Sequence, residues 1–438
     1  MTNPQGHLVG TGQSLSANLL GLYGKLALCE GMGQKLFEQN SRSVADSLGK
    51  ALILTVLVQL LATSTALVLP PIAPRVAADF GVDAYVVGYQ VSLLFTAGAF
   101  GSVLSGALIR SWGAVRTEQF GLGMFALGLV GLATANISVG VIASLLIGFA
   151  YGFQNPASSQ ILSVVTPPAR RNVVFSIKQA AAPLGVVLIS ISLPLLDAVI
   201  GWRKAFLLLA LLPSALLVIL AGHKVPHTPP QNKVPLLRGL LKEQRLIWRR
   251  GDLRVLTIIG FLYSSVQLTL STFTVLMLTA DCGWKLIPAA SAAAGVQAFG
   301  VLGRVCWGVV ADRLGSGFGV LAVVGLGSGA ALLAMPWMAA FPAYVQVGVL
   351  SFLGFCLNGW NGVAMAEVLR HAAPADVGSV MGSSLVYVFA GVMVGPASFA
   401  LLYEIVGSYG GTFAFASVVL LIGGSVALLV RPKLKGGG

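Results

Sequence analysis

Charge is scarce in this sequence, and acidic charge scarcer still. Asp, Glu, Lys and Arg make up 9% of the 438 residues, with 14 acids against 27 bases. A soluble domain carries about 25%, so this chain is not built to face water alone. Histidine is rare: His7, His223, His227 and His371 all fall in expected loops or arms, leaving no buried imidazole to relay protons. The four cysteines, Cys29, Cys282, Cys306 and Cys356, form no CxxC pair, so neither a disulfide framework nor a metal site is expected. There is no glycine-rich phosphate loop with its lysine, no histidine-rich cluster and no serine elbow between a strand and a helix. No ATP-driven transport by this chain alone, no enzyme activity and no cofactor are expected.

What is abundant is uninterrupted apolar sequence. The chain is 56% hydrophobic, with a mean hydropathy of +0.88. The uncharged stretches are 51–69, 84–109, 119–169, 179–196, 205–223, 255–280, 314–366, 377–403 and 405–430. About 20 apolar residues span a bilayer as a helix, so the two longest stretches must each fold back once. With 286–304 added, twelve transmembrane helices are expected in an all-α membrane protein.

The net charge of +13 is distributed by side rather than clustered for nucleic acid. With the N-terminus placed in the cytoplasm, cytoplasmic segments hold 21 of the 27 Lys and Arg residues. The exterior holds Arg75, Arg203, Lys204 and Lys285. This positive-inside bias puts both termini in the cytoplasm. The lipid bilayer is the expected partner, nucleic acid is not, and a monomer is expected.

The organisation is a two-fold repeat. Residues 1–50 form an N-terminal cytoplasmic arm in which Leu15, Leu19, Leu22 and Leu26 recur at helical spacing, as in an interfacial helix. Residues 51–222 form one six-helix bundle and 255–430 a second. Between them, 223–254 is a basic, proline-containing cytoplasmic loop, and 431–438 is a tail. Gly148, Phe149 and Asn155 in the fourth span match Gly354, Phe355 and Asn361 in the tenth at an offset of 206. Gly106 and Gly113 match Gly308 and Gly315 at an offset of 202. Two pseudo-symmetric bundles follow.

Two cations stand apart from this pattern. Lys178 lies about six residues inside the fifth span and Arg304 eight residues before Asp312, roughly 9 and 12 Å along their helices. A charge inside hydrocarbon is costly and marks a functional site by default. Both charges are positive, which points to an anionic small-molecule cargo. Glu118, Asp197 and Glu404 are placed at helix ends. That leaves Glu367 as the nearest acid to an interior position, a structural partner for Arg304 or a proton-coupling group.

The segment Gly308-Val-Val-Ala-Asp312-Arg313-Leu-Gly315 resembles the G-x-x-x-D-R-x-G loop of the major facilitator superfamily. The glycines suit close helix approach, and the Asp suits a helix N-terminus. The resemblance implies the major facilitator fold and a gating latch. The first-half copy carries Arg110 between Gly106 and Gly113 where the Asp belongs, so the two halves are expected to gate unequally. Gly391, Gly395 and Pro396 in the eleventh span, and Pro183 and Gly185 in the fifth, read as close helix packing. They weakly resemble the antiporter motif of drug exporters. Arg304-Val-Cys-Trp307-Gly308 resembles the eighth helix of the oxalate/formate and monocarboxylate branch, where the arginine binds the substrate carboxylate. A planar guanidinium fork suits that task. That branch often carries an acid four residues before the arginine, where this chain has Gly300.

Gln59, Gln154, Asn155, Tyr263, Gln267, Gln297, Trp360 and Asn361 are the remaining polar candidates for a central cavity. The resulting expectation is a secondary or facilitative transporter of a mono- or dicarboxylate in a bacterial inner membrane, working by alternating access. A proton-coupled exporter of hydrophobic compounds, and a non-transporting receptor or scaffold, are the alternatives.

Overall fold

The computed structural model describes residues 48–167, 171–222, 247–371 and 377–430. Most of the expected arm, most of the central loop and the whole tail lie outside the described residues. So does the whole of the interfacial helix expected around Leu15, Leu19, Leu22 and Leu26. Regular structure among the described residues is helical throughout. In lipid, a backbone satisfies its polar groups within its own segment, and a helix does that.

The first half comprises α1 (Leu48–Ala66), the short α2 (Ala73–Phe80), α3 (Val87–Trp112), α4 (Ala114–Ala133), α5 (Ile137–Val165), α6 (Arg171–Ile200) and α7 (Trp202–Ala221). The second half comprises α8 (Gly251–Leu276), α9 (Leu286–Leu314), α10 (Gly317–Leu333), α11 (Ala343–Leu357), α12 (Trp360–His371), α13 (Val377–Val406) and α14 (Tyr409–Val430). Ten helical spans are long and apolar enough to cross a membrane. The 20-residue α4 and the 17-residue α10 fall short of that standard but stand where the third and ninth spans were expected.

Packing repeats between the halves. α3 lies against α5 as α9 lies against α11, and α4 against α7 as α10 against α14. Ser64 of α1 donates to the Gly185 carbonyl of α6 at 2.9 Å, as Ser264 of α8 donates to the Val388 carbonyl of α13 at 2.9 Å. The glycines explain the intimacy. A Cβ on Gly148 would strike the Leu94 carbonyl, and one on Gly354 the Val296 carbonyl. The two pairs of positions differ by the offsets 206 and 202 seen in the sequence. Gly391 and Gly395 lie in the same way against the Phe261 and Ser265 carbonyls. Pro183 and Pro396 sit inside α6 and α13.

The halves meet along two helix pairs, α6 with α9 and α3 with α13. At the Tyr89 end they are drawn together. Tyr89 Oη donates to Glu404 Oε1 at 2.7 Å, a hydrogen bond between the halves. The Tyr85 and Tyr403 rings lie 5.3 Å apart, and Gly88 sits beneath Phe273, Pro396 and Ala400. The opposite end carries the reversals at Gly113 and Gly315, whose φ angles of 83° and 61° favour glycine.

The tenth expected span is not continuous. It breaks at Asn358 and Gly359, between α11 and α12. Asn358 is wedged against Gly300, and Gly359 against Trp307 and the Gly303 backbone.

Candidate functional site

Arg304 projects from α9 beside this break. Its Nε donates to the Asn358 carbonyl at 3.0 Å. Asn358 Oδ1 accepts from Gln267 Nε2 at 2.7 Å, and Gln267 Oε1 accepts from Trp360 Nε1 at 2.9 Å and Asn361 Nδ2 at 3.2 Å. One polar chain therefore runs from α8 through the broken span to the guanidinium. Arg304 is half-buried, and among the described residues no carboxylate lies within ion-pair distance of it. Its two terminal nitrogens have no hydrogen-bond partner there. Tyr151 of α5, hydrogen-bonded to Thr63, approaches it from the other half.

The repeat gives this arginine a control. Pro156 lacks an N–H and so leaves the Gly152 carbonyl of α5 without its helical donor. Ser102 Oγ of α3 donates to that carbonyl at 2.7 Å. Gly152 and Asn358 differ by 206, and Ser102 and Arg304 by 202. In one half a hydroxyl satisfies the freed carbonyl; in the other a guanidinium does so with one nitrogen and has two to spare.

Lys178 is placed differently from Arg304. It is fully buried, and its Nζ donates to the Asn155 carbonyl at 3.1 Å, Asn155 Oδ1 at 2.7 Å and Ser159 Oγ at 2.8 Å. An ammonium has three hydrogens, so all are committed to α5 and none is extended toward lipid headgroups. Nor is Lys178 isolated from acid. Glu118, placed at a helix end from the sequence, is 1% exposed in α4 and hydrogen-bonded by Gln154 Nε2 at 3.5 Å. It is near enough for the Lys178 charge to act on it. Counting residues from the helix start misled here, because α5 and its neighbours cover this part of α4. Gln154 accordingly turns into its own bundle, toward Glu118.

The remaining candidates separate. Gln297 Nε2 donates to Ser271 Oγ at 2.8 Å, and Gln59 Nε2 to Thr63 Oγ1 at 3.4 Å. Tyr263 is fully buried and donates to the Leu321 carbonyl at 2.6 Å, which holds α8 to α10. Glu367 does not pair with Arg304. Its Oε1 accepts from the Gly317 N–H at 2.6 Å and from Arg370 at 2.7 Å. It is therefore Glu367, rather than Asp312, that caps the N-terminus of α10. Asp312 is largely exposed and pairs with Arg370 at 3.5 Å. Arg313 is exposed, and a Cβ on Gly308 would meet open space. Gly106 is half-buried, and the Arg110 side chain lies outside the described residues. The sequence reading missed Asn358, Ser159, Tyr151 and Glu118. For Asn358 a signal was present, since Asn-Gly is turn-forming inside an apolar span.

Residues 52–389 match the family model of the Major Facilitator Superfamily. The chain belongs to the Major Facilitator Superfamily. Plastidic glucose transporter 4 of Arabidopsis thaliana is 31% identical over 147 residues, which are 33% of this chain and 27% of that protein. The match therefore spans only about a quarter of that relative. In three dimensions the chain is similar to a POT family transporter in complex with 5-aminolevulinic acid, with TM-score 0.71 and 14% identity over 88% of this chain and 96% of that one. It is similar as well to a bacterial homolog of the human lysosomal transporter Spinster in an inward-facing, unoccupied conformation. There the TM-score is 0.71 and the identity 15%, over 89% and 98%. Likenesses at these identities establish the facilitator fold.

Proposed function

We propose that this facilitator protein is a secondary transporter that moves a small organic anion, a mono- or dicarboxylate, by alternating access, with Arg304 as the anion ligand. The observation that carries this reading is the comparison of Arg304 with Ser102. A serine suffices for the shared contact with a freed carbonyl, so the guanidinium is surplus to packing. Holding an unpaired guanidinium at membrane depth is expensive, and a carboxylate that meets its free edge through two charge-assisted hydrogen bonds offsets that cost. Asn361, Gln267 and Gln297 are the polar neighbours we assign to the same cargo, with Gln59 and Tyr151 opposite them. Lys178 joins only if it leaves α5.

We assign α4 and α10 to the third and ninth of twelve spans, forming six-helix bundles at 51–222 and 255–430. Rocking along the α6–α9 and α3–α13 seams alternates access, with Arg370, Asp312 and Glu367 as the latch. Both termini face the cytoplasm of a bacterial cell, and the carrier acts as a monomer. The branch resemblance around Arg304 supports a carboxylate over an inorganic anion.

The experiment is a thermal-stability screen of the purified protein against mono- and dicarboxylates, inorganic anions and lipophilic cations. A ligand present at a hundred times its dissociation constant stabilises the fold by about 2.7 kcal/mol. The expected result is a shift with one class of carboxylate that vanishes in Arg304→Ser. A shift confined to lipophilic cations and retained in that variant identifies the exporter alternative and refutes this one.

A further inference from the structure

The feature left unexplained is a pair of buried acceptors with nothing to accept. Glu118 Oε2 and Gln154 Oε1 are both buried without a hydrogen-bond partner, although the two side chains already touch through Gln154 Nε2 and Glu118 Oε1 at 3.5 Å. Leaving such groups unmade costs about 1–3 kcal/mol each, and a native fold rarely carries two side by side.

A direct ion pair does not resolve this. Lys178 spends its three hydrogens on Asn155 and Ser159, and no ion pair joins it to Glu118 within contact distance. Other charged residues of the surrounding helices sit toward their ends. They are Lys50 on α1, Arg110 on α3, Arg171 and Asp197 on α6, and Arg203 and Lys204 on α7; Lys50, and Arg116 on α4 itself, are exposed. α5 carries none.

We propose that Glu118 is a proton-carrying site: its carboxyl is protonated in this conformation and forms a two-bond ring with the Gln154 amide. One proton on Oε2 converts an orphan acceptor into a donor, and that donor reaches the other orphan, Gln154 Oε1. The amide returns its own N–H to Oε1, so both defects close at once. Gln154 and Asn155 are adjacent on α5, so the acid's partner and the lysine's partner move together. When Asn155 and Ser159 release the ammonium, Lys178 is free to turn to Glu118. The carboxyl then gives up its proton to water and becomes the carboxylate half of an ion pair. Glu118 is protonated while Lys178 is held on α5, and ionised when Lys178 is not.

The site stands independently of the identity of the cargo; only its coupling to flux rests on the transporter reading above. Infrared spectroscopy of the purified protein at neutral pH reads the proton directly, through the carbonyl stretch of a protonated carboxylic acid. The expected result is such a band that disappears in Glu118→Gln and shifts in frequency, without disappearing, in Gln154→Leu. Glu118→Gln should melt at the wild-type temperature, since an amide replaces a neutral acid of the same shape. Should that variant fail to fold, the Gln154→Leu shift decides. A neutral-pH spectrum in which neither substitution alters a carboxylic acid band means that Glu118 is ionised, and overturns the proposal. In vesicles, a pH gradient should drive uptake by wild type but not by Glu118→Gln, while exchange without a gradient persists in both. Gradient-driven uptake retained in Glu118→Gln would refute the coupling while leaving the infrared result standing.

Discussion

Two alanine substitutions five residues apart on α9 should act in opposite directions. At Gly303 an added Cβ would lie 2.8 Å from the Phe355 carbonyl carbon and 3.1 Å from its Cα, with the carbonyl oxygen closer still. These are backbone atoms and cannot rotate away, so α9 and α11 must part by about 1 Å, an overpacking that costs roughly 1–3 kcal/mol. The Arg304 contact with Asn358, now 3.0 Å, spans the same pair of helical segments and should lengthen with them. At Gly308 the added Cβ meets nothing within 4 Å, and alanine is the better helix former by about 1 kcal/mol in water. The assay is thermal unfolding in detergent, read by labelling Cys356, which is buried until the fold opens. Gly303→Ala should lower Tm, and Gly308→Ala should leave it unchanged or raise it. Equal shifts in both variants would refute the claim that close helix approach, rather than helix glycine content, sets this seam.

Asn155→Ala removes the side-chain oxygen, one of the three acceptors that hold the Lys178 ammonium; the carbonyl at position 155 and the Ser159 hydroxyl remain, and the turn loosens. Stability should fall by about 1–3 kcal/mol and recover in part in Asn155→Ala/Lys178→Met, a cycle that additive losses would contradict. Arg370→Ala strips Glu367 and Asp312 of their shared cation. It should destabilise the protein, while Asp312→Asn, acting on an exposed partner, should cost under about 1 kcal/mol. Tyr89→Phe deletes a hydrogen bond between the halves at its end. The expected outcome is faster thiol labelling of a cysteine introduced at Ala84, with unchanged Tm; unchanged labelling would mean that the bond does not gate that end.

Most of the fold was legible because lipid imposes a simple rule. A long uncharged stretch must be helical and must cross, and the offsets of 202 and 206 carried the two-fold repeat down to individual carbonyl contacts. Arg304 stood out because it interrupts a long apolar stretch. What one-dimensional counting could not supply was coverage by neighbours. Glu118 is five residues into α4 and yet sealed, because α5 lies over it. Tyr263 looked like a cavity residue by position, but its ring is spent on the α8–α10 contact. Glu367 seemed deep enough to meet Arg304, but the start of α10 reaches it first. Each of these depends on which face of a helix a side chain takes, and the apolar spans, hydrophobic on all sides, do not record their orientation in sequence.

The proposed role of Arg304 rests on its charge rather than on its contact with Asn358. Arg304→Ser tests it most directly, since the repeat shows that serine can make the equivalent contact from Ser102. Binding of the stabilising carboxylate should be measured by titration calorimetry for wild type, Arg304→Ser and Arg304→Lys. Loss of a charged bidentate contact, at about 1.5–3 kcal/mol per hydrogen bond to a charged group, predicts at least a tenfold loss of affinity in Arg304→Ser. A smaller loss is expected in Arg304→Lys, with Tm of the unliganded protein held near wild type. Wild-type affinity in Arg304→Ser would contradict the account and return Arg304 to the role that Ser102 plays in the other half.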